Sequence, residues 1–346
     1  MTWVAAAISG VQIAATQSLA LSAVLQSTAS PIAEKPLVTP TPFPYVSNDG
    51  PKAFGGENAT PTTLNSFLKH EGFGIVKLKQ RNFDSDPKRL VIDVEINRVS
   101  ALLEVDTGAG GTVIAQSSLK RFGLVEQKTP IRIAAFGKKS VPSAFWTIAK
   151  LDTLAIGNSV MRGVPVAIKE IPHLDGLLGS PEMHRVGAIL DCAGPALYLA
   201  PRGSNSRTSG KLAEILQSNG FTQVPLRLNS DHHLEVDCSI DGVPSTMLVD
   251  TGSQFTFVDE SIGTKAGIIM TRPITQVRGS DSARRSIGRA RKLAIGDFEI
   301  RDPDICFVDL KEADHPSTYL LGISELASNV AVIDIGGLRM YLHHPQ

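Results

Sequence analysis

Two aspartates in this chain stand in the same local setting. Leu103-Glu104-Val105 leads into Asp106-Thr107-Gly108-Ala109, and Met247-Leu248-Val249 leads into Asp250-Thr251-Gly252-Ser253. One acidic residue between an apolar strand and a glycine turn is common in β proteins and carries little. Two with matched surroundings point to paired carboxylates. Carboxyls a few ångströms apart cannot both ionise cheaply, so the pair holds one proton between them. One member then serves as base toward a water and the other as acid toward a carbonyl oxygen, which is what hydrolysis of a peptide bond by water requires. Gly108 and Gly252 permit close backbone approach, so that amide hydrogens can hold the carboxylates.

The elements that must position these aspartates recur as well. Residues 91–109 (VIDVEINRVSALLEVDTGA) align without a gap on residues 235–253 (EVDCSIDGVPSTMLVDTGS) at an offset of 144. Ala155-Ile156-Gly157-Asn158 is matched by Ala294-Ile295-Gly296-Asp297, and Leu177-Leu178-Gly179 by Leu320-Leu321-Gly322. Ile189-Leu190-Asp191 with Tyr198-Leu199 is matched by Val332-Ile333-Asp334 with Tyr341-Leu342. Landmarks in the same order, with 20 residues from the Leu-Leu-Gly glycine to the terminal leucine in both copies, read as an internal duplication. Within each copy, short runs alternate apolar and polar residues and break at Asn97-Arg98, Asp241-Gly242 or Gly-Asn pairs, the pattern of strands and hairpins. Helical patterns are few: Ser117–Phe122 closed by Gly123, and Lys211–Gln217 ending near Gly220. The expected fold is all-β, two similar lobes.

On these motifs the sequence resembles the retropepsin-like branch of the aspartic proteases over residues 88–200 and 232–343. The resemblance implies two β-barrel lobes related by a pseudo-twofold with the active-site cleft between them. It implies an aspartic endopeptidase with Asp106 and Asp250 as the catalytic pair, acting without a cofactor or metal at an acidic to mildly acidic pH. It also implies an extended protein or peptide substrate and a monomer whose two lobes pair within one chain. Thr107 and Thr251 match the family's threonines that interlock across the lobe interface. Ala109 and Ser253 sit where the family accepts either residue, the serine offering a hydrogen bond to Asp250. The Leu-Leu-Gly strands ending at Gly179 and Gly322 match those that pass behind the catalytic loops. Glycine hairpins at Phe136-Gly137 and Arg278-Gly279 lie at the distance of the family's flaps, with plain surface hairpins as the alternative. The rival function is a peptide-binding protein that keeps the fold without cleaving, and two complete Asp-Thr-Gly triads weigh against it.

Other residues are assigned structural roles. Asp191 and Asp334 lack the following Thr-Gly. His232-His233 and His343-His344 have no partners at ligand spacing and read as surface histidines. Arg284, Arg285, Arg289, Arg291 and Lys292 read as a solvated hairpin face rather than a contact for acidic substrates. Three cysteines (Cys192, Cys238, Cys306) are too few for a disulfide scaffold; a Cys192–Cys238 bridge is open on spacing, and buried thiols are the simpler reading. With 34 basic and 34 acidic residues in 346, the net charge is zero, which argues against a nucleic-acid partner.

Residues 3–25 are nearly all apolar or small, and no Lys or Arg precedes Lys35. The segment 1–30 reads as an export signal without its basic start, with a membrane tether as the rival, and export implies a periplasmic or secreted protein. Residues 31–63, rich in Pro, Ser and Thr, read as a linker. The first lobe is expected over 64–200, a second linker over 201–210 and the second lobe over 211–346. Residues 64–87 are open between an inhibitory segment and a first strand joining the lobes.

Overall fold

The computed structural model describes residues 64–81, 89–129, 146–201, 206–273, 285–309 and 319–344. Residues 1–63, the flap candidates Phe136, Gly137, Arg278 and Gly279, and Arg284 lie outside the described residues.

The chain is mostly β, in three sheets. In the first lobe the hairpin Arg89–Ile96/Val99–Asp106 starts the barrel. Its turn uses Asn97 and Arg98, both at positive φ (51° and 67°), the conformation that matches the twist of the flanking strands. Asn97 also ties the turn down, donating from Nδ2 to the Phe122 carbonyl and accepting from the Thr153 amide. The long hairpin Trp146–Ile156/Ser159–Lys169 completes the wall, and Glu95↔Ala155 and Ile96↔Leu154 close the sheet on itself. Inside lie Ile92, Val94, Ile96, Leu103, Leu151, Leu154 and Val164, all buried by the alternation of their strands.

The second lobe follows the same order with one difference. Its hairpin Leu234–Ile240/Val243–Asp250 turns at Asp241-Gly242, again both at positive φ. The two long strands of the first lobe have as counterparts four short ones: Arg285–Arg289, Lys292–Ile295, Phe298–Arg301 and Asp304–Val308. They are broken at Ala290-Arg291 and Asp302-Pro303. Pro303 has no amide hydrogen for a ladder, and Asp302 sits at φ 52°. The sheet curls into a half-barrel rather than a continuous cylinder.

The third sheet joins the lobes. It runs Gly74–Lys77, Ala196–Leu199, Ile189–Asp191 from the first half, then Val332–Asp334, Arg339–Leu342, Thr222–Pro225 from the second. At its centre Leu190 pairs antiparallel with Ile333, where the pseudo-twofold passes. Leu190, Leu197, Ile333 and Met340 face the main core. Ile189, Tyr198, Val332 and Tyr341 face the other way, under Leu64, Phe67 and Leu68 of the helix Leu64–His70 and Leu212 and Leu216 of the helix Ser206–Ser218. Residues 74–77 are therefore a strand of the joining sheet, one of the two readings open for that segment. The helix Ser206–Ser218 begins inside the expected 201–210 linker. Its apolar stripe has a sheet to cover, and that burial outweighs the weak helix preference of Ser-Arg-Thr-Ser-Gly.

Three smaller expectations resolve here. No disulfide joins Cys192, Cys238 or Cys306, so the Cys192–Cys238 bridge is not formed; Cys192 and Cys306 are buried. His233 is buried, not on the surface, because the turn Asn229–His233 folds its amide onto Asn229 Oδ1. His343 and His344 pack on Phe221 and Phe298.

Candidate active site

Asp106 and Asp250 are the last residues of Val99–Asp106 and Val243–Asp250, each buried to 1% or less exposed. Each strand is flanked in parallel by its Leu-Leu-Gly strand, in a register that sets Asp106 beside Gly179 and Asp250 beside Gly322. Only glycine fits at these positions. A Cβ on Gly179 would lie 2.5 Å from the Gly111 carbonyl carbon, and one on Gly322 would lie 2.3 Å from the Phe255 oxygen. The Leu-Leu-Gly strands thus lie against the aspartate loops at backbone contact.

The loops then hold the carboxylates. Gly108 N donates to Asp106 Oδ1 at 2.9 Å. Asp250 Oδ1 receives two amides, Gly252 N at 2.9 Å and Ser253 N at 3.1 Å. The Ser253 hydroxyl, expected to reach Asp250, donates instead to the Phe255 carbonyl at 2.9 Å, so Ser253 serves the site through its backbone. A Cβ on Gly108 would meet the Asp250 carboxyl at 2.4 Å, which places that carboxyl directly against the loop of Asp106.

The threonines lock the two loops together. Thr107 Oγ1 donates to the Val249 carbonyl at 2.6 Å, and Thr251 Oγ1 donates to the Val105 carbonyl at 2.7 Å. Each hydroxyl in return accepts the other threonine's amide. Three groups from each lobe, a threonine amide, its hydroxyl and a strand carbonyl, are satisfied across the interface. The predicted residues Asp106, Thr107, Gly108, Ala109, Asp250, Thr251, Gly252 and Ser253 are all brought to one place.

The electrostatics follow from burial. Apart from the Asp106–Asp250 contact itself, Asp106 Oδ2 and Asp250 Oδ2 are buried without an amide or hydroxyl donor among the described residues, so each carboxylate has one oxygen held by its own loop and one left to the pair. Burial, then the neighbouring Asp250 charge, pushes Asp106 well above the ordinary carboxylate range. Burial pushes Asp250 up to about 7, against the pull of its hydrogen bonds to Asp106 and to the loop amides. Two further charges stand below the pair. Glu104, two residues before Asp106 on the same strand, is buried and ion-paired to Arg89 at 2.6 Å. Leu248 stands at the matching place in the second half, so this pair is a feature of one lobe only.

Sequence reasoning missed a second layer. Thr112 and Thr256, each six residues after its aspartate, accept the amides of Gly179 and Gly322 at 3.2 Å. Each then donates its hydroxyl to a glutamate three residues after that glycine, Glu182 at 2.5 Å and Glu325 at 3.1 Å. The recurrence of Thr and Glu at the same spacing in both halves was the available signal.

The remaining candidates sit apart from the aspartates and have local roles. Asp191 Oδ1 accepts from Ala193 and Gly194, and Asp334 Oδ1 from Gly337, so both aspartates close turns in the joining sheet. Arg289 pairs with Asp304, Arg291 with Asp241 and Lys292 with Glu299, as on a solvated hairpin face. Among the described residues no three His, Cys, Asp or Glu side chains gather at metal-binding distance.

Comparisons with known proteins fit this geometry. Residues 92–185 match the family model of the gag-polyprotein putative aspartyl proteases, and residues 236–324 match that of the aspartyl proteases. Among solved structures, a retropepsin-like aspartic protease from Rickettsia conorii matches at 18% identity over 37% of this chain and 90% of its own, with a TM-score of 0.27. Conglutin gamma, a basic 7S globulin from lupine seeds, matches at 10% identity over 79% of this chain and 95% of its own, with a TM-score of 0.45. No curated protein matches the sequence. Each half carries one Asp-Thr-Gly loop inside one matched segment, so the chain carries two aspartyl-protease domains in a single polypeptide.

Proposed function

We propose that the protein is an aspartic endopeptidase that cleaves extended peptide segments using Asp106 and Asp250 of the same chain. The observation that carries this reading is the pair of buried carboxyls: each has Oδ1 fixed by its own loop and Oδ2 without an amide or hydroxyl donor among the described residues. A shared proton and one water complete that arrangement. Asp250 takes two amide hydrogens and Asp106 one, so the negative charge is better held on Asp250 and the proton on Asp106. Asp250 then removes a proton from the water as its oxygen attacks the scissile carbonyl, and Asp106 gives its proton to the carbonyl oxygen. The tetrahedral diol collapses as a proton passes to the leaving nitrogen, releasing an acid and an amine and returning the pair to one proton.

Burial raises both carboxyls, so the singly protonated pair, and with it the optimum, is expected at a higher pH than ordinary carboxylates would give. The substrate is proposed to bind as an added strand, its backbone supplying the pairing. The protein is proposed to act as a monomer, since the threonine bonds and the joining sheet draw both lobes from one chain. Its apolar first residues support a site of action beyond the cytoplasmic membrane.

The test is cleavage of a mixed peptide library across pH 3 to 8 by wild type and by Asp106→Asn. Cleavage that disappears in the variant, with unchanged circular dichroism, is the expected result. Equal cleavage by both proteins overturns the reading, and a folded wild type that binds library peptides without cutting them favours a binding role.

A further inference from the structure

Glu182 and Glu325 are acids that recur at matching places in the two halves and that the proposed reaction leaves unused. Glu182 is 3% exposed and Glu325 half-buried, each in the first turn of the short helix that follows a Leu-Leu-Gly strand. Burying a carboxyl is costly unless its oxygens are hydrogen-bonded. An apolar residue would fill the same space at no such cost, yet both halves place a glutamate there. Each has the same partner: the hydroxyl of a threonine that already accepts the amide of the glycine beside the aspartate.

We propose that Glu182 and Glu325 are positioning residues for the two aspartate loops, each acting through a threonine hydroxyl. The geometry is a closed frame. At one corner the backbone joins loop to helix, Ser180 N donating to the Ala109 carbonyl at 3.0 Å and Ile323 N to the Ser253 carbonyl at 2.8 Å. At the other corner the Thr112–Glu182 and Thr256–Glu325 bonds hold the far end of the same loop. The amides of Gly108, Gly252 and Ser253, which orient the carboxylates, belong to the same loops, at or just before the first corner. A threonine hydroxyl has one proton. With the glutamate present that proton is committed away from the loop, and the oxygen faces the glycine amide as acceptor. Without the glutamate the hydroxyl is free to turn, and the glycine amide loses its fixed acceptor. The loop then drifts relative to its strand. The reacting carboxylates follow, because their orienting amides belong to that loop.

The inference rests on the protease reading for its kinetic consequence only; the ordering of the loops does not depend on turnover. The test compares Glu182→Leu and Glu325→Leu with Glu182→Gln and Glu325→Gln, since glutamine keeps an acceptor oxygen at the same reach. Amide hydrogen exchange is followed at Gly179 and Gly322, and kcat and KM on a peptide substrate are measured beside it. Loss of one buried hydrogen bond, worth about 1 kcal/mol, is expected to speed exchange about fivefold. The faster exchange should appear at Gly179 alone in Glu182→Leu and at Gly322 alone in Glu325→Leu. Displacement of the loop is expected to lower kcat by about 10- to 100-fold, with little change in KM. The glutamine variants are expected to stay close to wild type on both readouts.

Glutamine variants as impaired as the leucine ones would overturn the proposal, as would leucine variants with wild-type exchange and kcat. If wild type cuts no peptide, the protease reading fails by itself, and the exchange data alone uphold or overturn the role of the glutamates.

Discussion

The Thr107 amide donates to Thr251 Oγ1 at 3.1 Å, and the Thr251 amide donates to Thr107 Oγ1 at 3.0 Å. Each hydroxyl spends its own proton on a strand carbonyl of the opposite lobe. This reciprocal pair sits immediately after the two aspartates, so lobe association and the spacing of the carboxyls are set by the same four bonds.

Replacing either threonine by valine removes an acceptor and a donor while leaving two buried backbone groups of the other lobe unpaired. The expected cost is about 2–4 kcal/mol. Thr107→Ser and Thr251→Ser, which keep the hydroxyl, should lose about 1 kcal/mol or less for the missing methyl group. Urea unfolding of the four variants checks both numbers. Each valine removes a different two of the four bonds, so a double valine variant that departs from the sum of the singles measures coupling between the lobes through this contact.

Gly179→Ala and Gly322→Ala press a methyl group into backbone at 2.3–2.5 Å, where nothing flexible can yield. Each should destabilise by about 3 kcal/mol or more. Gly123→Ala is the control. Its φ is +66° and the space around it is open, so only the left-handed backbone is penalised, by about 1–2 kcal/mol. Equal midpoints for Gly179→Ala and Gly123→Ala in chemical denaturation would show that the strand behind the loop is not held at contact.

The Arg89–Glu104 pair is buried on both sides, with side chains 13% and 2% exposed. Arg89→Met or Glu104→Leu alone strands one charge and should cost about 3–5 kcal/mol, whereas the double replacement should recover most of that loss. A double-mutant cycle in urea measures the coupling. Leu248 occupies the matching place in the second lobe, so the fold itself accepts an apolar residue there.

Several buried carboxyls hold their protons too well for their type. Asp191 is raised by burial to about 6, and Glu325 and Asp250 to about 7. A carboxyl raised in the fold favours folding fully below its unfolded value, and that support is lost as pH rises toward its folded value. Thermal midpoints are therefore expected to be highest near pH 4 and to fall between about pH 4 and 7, and Asp191→Asn should flatten the lower part of that fall. A midpoint that climbs from pH 4 to 7 would contradict these assignments.

How much of this was legible in the sequence follows from the range of each interaction. The Asp-Thr-Gly loops and the turns at Asn97-Arg98 and Asp241-Gly242 are written in adjacent residues, and the structure places them as read. The glutamate frame joins residues about 70 positions apart and depends on which strands pack together, although its spacing repeats in both halves. The start of the helix at Ser206 was hidden because Leu212 and Leu216 bury against a sheet assembled from both ends of the chain. The Ser253 hydroxyl was misassigned because a carbonyl two residues on, at Phe255, offers a nearer acceptor. The breaks in the second lobe's strands carry a mark in Pro303, visible only once its strand partners are known.

The central claim is that two aspartates of one chain share one reaction. It is tested most directly by the peptide cleavage rates of purified Asp106→Asn and Asp250→Asn, each alone and the two mixed. Loss of acid or base is worth on the order of 10²- to 10⁴-fold, so each variant alone should fall by at least that factor with its fold intact. Mixing should restore nothing, because the pairing lies within a chain. Wild-type cleavage by either single variant, or recovery on mixing, would contradict the account.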